Sequence, residues 1–194
     1  VASTQNEGKN YYHGVIIAKK EFKDLKSLKG KSFAFVEKGS SSGYKFPLAL
    51  FLQKNIDPYK HFSKVYYLGS HNAVLEAVLN SKVDAGATWD GFFESTMLNS
   101  EKNIAVIMKT ELIPYDAIVV SRKKGKAFVS ELQSLLLKIN KDTINSKGEK
   151  VFAKELGFPY SGYVVHSNKI YDVVRKTGRL IRNYKPPVEQ NADK

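Results

Sequence analysis

Apolar positions along the chain fall into short runs of two kinds. Residues 11–18, 32–36, 64–68, 83–87, 104–108 and 117–120 are β-branched, aromatic or small, and each is only a strand long. Bounded by Gly, Ser, Asn, Asp and Lys, such runs predict strands. Between them, residues 44–53, 72–80 and 91–98 are apolar enough, at helical spacing, to predict packed helices. Residues 24–31 predict a short helical turn that Gly30 stops. Beyond residue 120 the pattern turns helical. One helix is predicted over 125–140, with Phe128, Leu132, Leu135, Leu136 and Ile139 on a common face. A second is predicted over 145–156, stopped by Gly157 and Pro159, and a third over 168–184, ended by Pro186 and Pro187. The first ten residues are polar and predict a loop or fraying end, and 189–194 a disordered tail.

Strands that alternate with helices predict an α/β fold with parallel pairing, and ligands favour the edge outside the carboxyl ends of such strands. Three junctions would share that edge. The first is Gly39-Ser40-Ser41-Ser42-Gly43, the second Gly69-Ser70-His71, with Ser70 as a cap, and the third Trp89-Asp90. The serine loop has two readings: Ser42 caps the following helix over a solvated turn, or the loop cradles an anion. The second reading follows from the free N–H groups and partial positive charge of a helix start, which an oxyanion satisfies together.

Composition narrows the chemistry. The 194 residues have an ordinary globular apolar fraction of 42%. Without Cys, thiol chemistry and disulfides are excluded, and four scattered His carry no zinc spacing, so no metal and no cofactor are expected. The net charge of +12 raises nucleic acid as a partner. The lysines are spread out, however, with modest clusters at 19–20, 122–124 and 175–182, and no recognition motif accompanies them. No nucleic-acid partner is expected; a basic surface also attracts small anions. The chain opens Val-Ala-Ser-Thr without a leader or a bilayer-length apolar run, which predicts either a removed leader or a piece of something longer.

Read in order, Tyr-Tyr with its apolar strand, LKGKSFAFV, SSSGY, GSHNAVLEAV, VDAGA and IPYDAIVV closely resemble the phosphate/phosphite/phosphonate-binding proteins of ABC importers. These are type II periplasmic binding proteins, and the resemblance covers roughly residues 10–160. It implies two α/β lobes that close over a ligand, joined by two crossover strands within 15–18 and 117–120. On that plan residues 1–20 are a remnant of the first lobe with the first crossover strand. Residues 21–112 are the complete ligand-binding lobe, 113–123 the return crossover strand, and 124–194 the C-terminal helical part of the first lobe. Most of the family's first lobe precedes the Tyr-Tyr strand, which implies a fragment. A truncated lobe predicts partly uncovered apolar helix faces, and so aggregation or a compensating dimer.

The resemblance also assigns roles. Ser40, Ser41, Ser42 and Gly43 match the oxyanion loop, and His71 a histidine donating to another ligand oxygen. Tyr12, ahead of Tyr11, matches a tyrosine entering the first crossover. Asp90 and Asp116 would face the cleft, where a carboxylate beside an oxyanion suits a ligand amine or a protonated oxygen. Asp90 stands where some members carry Glu, and Trp89 is a candidate for shaping the pocket. The function implied is a solute-binding receptor of an ABC importer for a phosphonate, phosphite or phosphate-like anion, an aminoalkylphosphonate included. Its partners would be that small oxyanion and a membrane permease. It would lie in the periplasm or otherwise outside the cytoplasm, with a lipid anchor on the precursor as an option. The alternative is an extracellular sensing domain of a histidine kinase or regulator with the same fold. An enzyme is not expected: Ser, His and Asp are present, but the serines lack the Gly-x-Ser-x-Gly elbow.

Overall fold

The structure is a computed structural model that describes residues 1–97, 103–152 and 160–186. The chain divides into two compact units, one of residues 1–11 with 114–172, the other of 12–113 with the segment from 173 onward.

The larger unit is a five-stranded sheet. Its strands are β2 (Tyr11–Lys19), β3 (Ser32–Phe35), β4 (Lys64–Tyr67), β5 (Ala85–Trp89) and β6 (Ile104–Pro114), in the order β4-β3-β5-β2-β6. β3 runs parallel to both β4 and β5. Helices α1 (Phe46–Gln53) and α2 (Pro58–His61) precede β4, α3 (His71–Leu79) precedes β5, and α4 (Asp90–Met97) follows it. The central strands β2, β3 and β5 are buried on both faces because helices or turns cover both. Phe33, Phe35, Ile16 and Ala87 pack with Leu48, Phe51 and Phe62 on one face. Ala34, Val36, Val15 and Ile17 pack with Val74, Leu75 and Val78 of α3 on the other.

Several expectations shift. β2 is antiparallel to β5, pairing Gly14 with Trp89 and Ala18 with Ala85. A parallel strand needs a crossover element, and residues 20–31 form only turns, so β3 starts from the edge where β2 ends. The turns of 24–31 replace the expected helical one. They are held by Asp24 and Ser27 and plug Leu25 and Leu28 into the core. The run at 83–87 is strand only from Ala85 and continues to Trp89. Asp84 instead binds the start of β3 through its carboxylate, which accepts the Ser32 amide at 2.8 Å and the Ser32 hydroxyl at 2.7 Å.

The smaller unit corrects the reading of the N-terminus. Residues 2–5 are not a fraying end but β1 (Ala2–Gln5), the centre of an antiparallel sheet with β7 (Ala117–Ile118) and β8 (Gly162–Val164) in the order β7-β1-β8. Ala2 faces Ile118, and Thr4 faces Tyr163. Its partners lie more than a hundred residues away, so its own small polar side chains carry no local strand signal. α5 (Gly125–Leu136) is shorter than expected. Residues 145–152 are turns and an isolated bridge from Ile144 to Lys150, not helix, because the Asn145 side chain takes the Lys147 and Glu149 amides into a local loop. The rest of that predicted helix lies outside the described residues, as do Pro187 and the tail. The C-terminal helix is a 3₁₀ turn at Asn168–Tyr171 followed by α6 (Asp172–Arg182). From residue 173 it belongs to the larger unit, where Ile181 and Tyr184 pack against the core and the Tyr184 hydroxyl donates to Asp57 at 2.5 Å.

Candidate functional site

The carboxyl ends of β3, β4 and β5 lie on one edge because those strands are parallel, and antiparallel β2 begins there. Tyr12, the serine loop, His71 and Asp90 are therefore all at that edge, within one unit. After β4 the backbone keeps pairing with the chain leaving β3, through Leu68 N–H to the Phe35 carbonyl and Gly69 N–H to that of Val36. Ser70 and His71 are thereby carried beside the start of the serine loop.

The loop is not a simple α-helical start. Residues Ser41–Lys45 form a turn of π-helix that leads into α1, with Ser40 as its N-cap accepting the Gly43 amide at 3.0 Å. Pro47 has no N–H to give the Gly43 carbonyl four residues back. That carbonyl instead accepts the amide of Val36, at 3.1 Å. A single wide turn follows, a feature frequent at functional sites. Capping thus falls to Ser40, not Ser42. The Ser41 and Ser42 amides, as the first of a helix, have no acceptor one turn back. Gly43 packs so closely that a Cβ there would sit 2.4 Å from Val36 Cγ2, which fixes the loop against β3.

His71 is the first residue of α3, behind Ser70, whose hydroxyl accepts the Ala73 amide at 3.1 Å as expected. Its Nδ1 lies 3.0 Å from Oγ1 of Thr88, a fully buried residue on β5. Burial lowers its pKa to about 4, so the ring is neutral at pH 7. The approach of α3 depends on Gly86, where a Cβ would meet Val74 Cγ1 at 2.5 Å. Thr88 was missed by sequence reasoning because the run was read as ending at 87. The small residues Gly86 and Ala87 before a lone Thr were the available signal.

Asp90 heads α4, and its Oδ1 accepts the amides of Gly91 at 2.9 Å and His13 at 3.2 Å. One carboxylate oxygen thus ties α4 to β2, a structural duty the sequence did not reveal. His13, also unremarked in the sequence, donates from Nδ1 to the Thr110 carbonyl at 2.8 Å. Tyr12 stands edge-on to Trp89, with ring centroids 5.9 Å apart. Asp116 is in the other unit, exposed, where its carboxylate accepts the Tyr160 hydroxyl and its carbonyl the Thr4 amide. Among the described residues no cluster suited to a metal is present, and no helix is long and apolar enough to cross a membrane.

The family model for the periplasmic substrate-binding protein of the phosphonate ABC transporter matches residues 1–171. The chain belongs to this family. Among its relatives is a probable ABC transporter phosphite binding protein, PhnD1, from Prochlorococcus marinus. The two are 27% identical over 168 residues, which is 82% of this chain and 54% of the relative. The solved structure of PhnD1 in complex with methylphosphonate is 22% identical, with a TM-score of 0.70 over 94% of this chain and 72% of that one. A binding protein of an ABC phosphonate transporter from Pseudomonas aeruginosa is 24% identical, with a TM-score of 0.65 over 91% of this chain and 60% of that one. The fold is that of the type II periplasmic binding proteins. The chain spans about half the length, or less, of the curated relatives it matches.

Proposed function

We propose that this chain is the oxyanion-binding part of a solute receptor for an ABC importer, taking a phosphonate, phosphite or phosphate-like ligand outside the cytoplasm and passing it to a membrane permease without chemistry of its own. The observation that carries this reading is the convergence of the serine loop and His71 on one sheet edge. The Ser41 and Ser42 amides, the three hydroxyls and a neutral imidazole are donors, and donors around a helix start suit a tetrahedral anion. Asp90, with one oxygen already holding two amides, has its second for a ligand amine or a protonated oxygen; Tyr12 is proposed to join them, and Asp116, which belongs to the smaller unit, is kept as a proposed ligand residue. The divisions drawn from the sequence at 1–20, 21–112 and 113–123 are kept as proposed, and the one drawn at 124–194 is shortened to 124–172, because the segment from 173 groups with the larger unit. The family favours import over the sensor alternative, and adjacent permease genes would support it.

Calorimetric titration of the natural polypeptide with methylphosphonate, phosphite, phosphate and 2-aminoethylphosphonate tests the reading. Saturable binding of at least one is expected. Binding of none overturns it.

A further inference from the structure

We propose that Thr88 is a positioning residue that holds His71 as its Nε2–H tautomer, so that the imidazole meets an oxyanion as a donor and not as a lone pair. The inference rests on the binding reading above and adds the residue that decides which face of the histidine's chemistry the ligand encounters. Two arrangements satisfy the 3.0 Å contact between His71 Nδ1 and Thr88 Oγ1. In one, the threonine O–H donates to a bare Nδ1, and the ring's single proton sits on Nε2. In the other, Nδ1–H donates to the threonine oxygen, and the hydroxyl hydrogen needs an acceptor of its own.

The burial of Thr88 separates them. The residue is fully buried on β5, paired with Val15, and its hydroxyl has no other partner among the described residues. Under the second arrangement a buried hydroxyl hydrogen is left unpaired and loses its hydration without compensation. Under the first, both Thr88 O–H and His71 Nδ1 are satisfied by one bond. The placement is set by the fold. Gly86, two residues earlier on the same face of β5, admits Val74 of α3 into close contact, and His71 is three residues before Val74 on the same side of that helix. The hydroxyl is therefore aimed at the ring by the same packing that seats the helix. A donor at Nε2 attracts a fully ionised oxyanion; a bare Nε2 would repel it and accept only from a protonated ligand oxygen.

Long-range proton–nitrogen correlation spectra of the ¹⁵N-labelled chain without ligand test the tautomer at neutral pH. The expected result is a pyridine-like Nδ1 and a protonated Nε2 for His71. Thr88→Val, which keeps the shape and removes the hydroxyl, is expected to populate the Nδ1–H form and to weaken methylphosphonate binding roughly tenfold. Thr88→Ser is expected to restore both. An Nδ1–H ring in the unmodified chain overturns the inference, as does a Thr88→Val spectrum with the same Nε2–H fraction as the unmodified chain. The spectra need no ligand. Hence Nε2–H with the expected response to Thr88→Val, but no methylphosphonate binding, would sustain the tautomer assignment and count against the binding reading alone.

Discussion

His71 is where burial and charge meet most directly in this chain. Its folded pKa is lowered by desolvation from 6.5 to about 4, so the folded state refuses a proton that the unfolded chain accepts. Above pH 6.5 both states are neutral and the group costs nothing. As pH falls through 6.5 toward 4, only the unfolded chain gains the proton, and stability is lost across that window, by up to about 3 kcal/mol if the whole shift is expressed. Urea unfolding at a series of pH values checks this, with His71→Gln as the control. The variant's midpoint is expected to vary less between pH 6.5 and 4 than that of the unmodified protein; parallel curves would contradict it. The histidine itself was legible in the sequence from its Gly-Ser-His setting at a strand end. Its neutral state was not, because that depends on α3 lying over Gly86 and Thr88, a contact between segments that no local pattern encodes.

At the scale of elements, the alternation of strand and helix was readable because the central strands of the larger sheet, β2, β3 and β5, are buried on both faces. What the pattern could not supply was direction and register. β2 looks like any other buried strand, and only the turns at 20–31 make it antiparallel. β1 is short and polar, and it forms because β7 and β8 reach it from the far end of the chain. The π-turn was hidden for another reason: it results from Pro47 withholding a hydrogen bond and from Gly43 packing under Val36. Gly43→Ala would put a methyl 2.4 Å from Val36 Cγ2, 2.6 Å from Val36 Cβ and 2.9 Å from Ser40 Oγ, and no rotamer of Val36 moves its Cβ aside. The expected cost is about 1–3 kcal/mol of stability, with a further loss of oxyanion affinity as the Ser40 cap opens. Denaturant unfolding and titration of the same sample would read both, and an unchanged midpoint would contradict the packing account.

Over the whole molecule, the two units differ in how well they cover themselves. The larger holds both apolar clusters, whereas no residue of α5 in the smaller unit is buried, and Phe128 and Leu135 are 43% and 53% exposed. The uncovered stripe that the sequence led us to expect on this helix is thus present. Apolar faces of this kind drive association. Sedimentation velocity of this chain is expected to show concentration-dependent association that Leu135→Lys reduces, and a monomer at every concentration would contradict it. The net charge of +12 works in the opposite sense, opposing association at low salt and favouring the approach of anions. The central claim, that the serine loop and its neighbours hold a tetrahedral oxyanion, is tested most directly by calorimetric titration of the natural polypeptide with methylphosphonate beside its Ser41→Ala variant. The account predicts saturable binding that the substitution weakens about tenfold, as expected for a lost hydrogen bond to a charged group. Equal affinity of the two proteins, or no binding by the unmodified one, would contradict it.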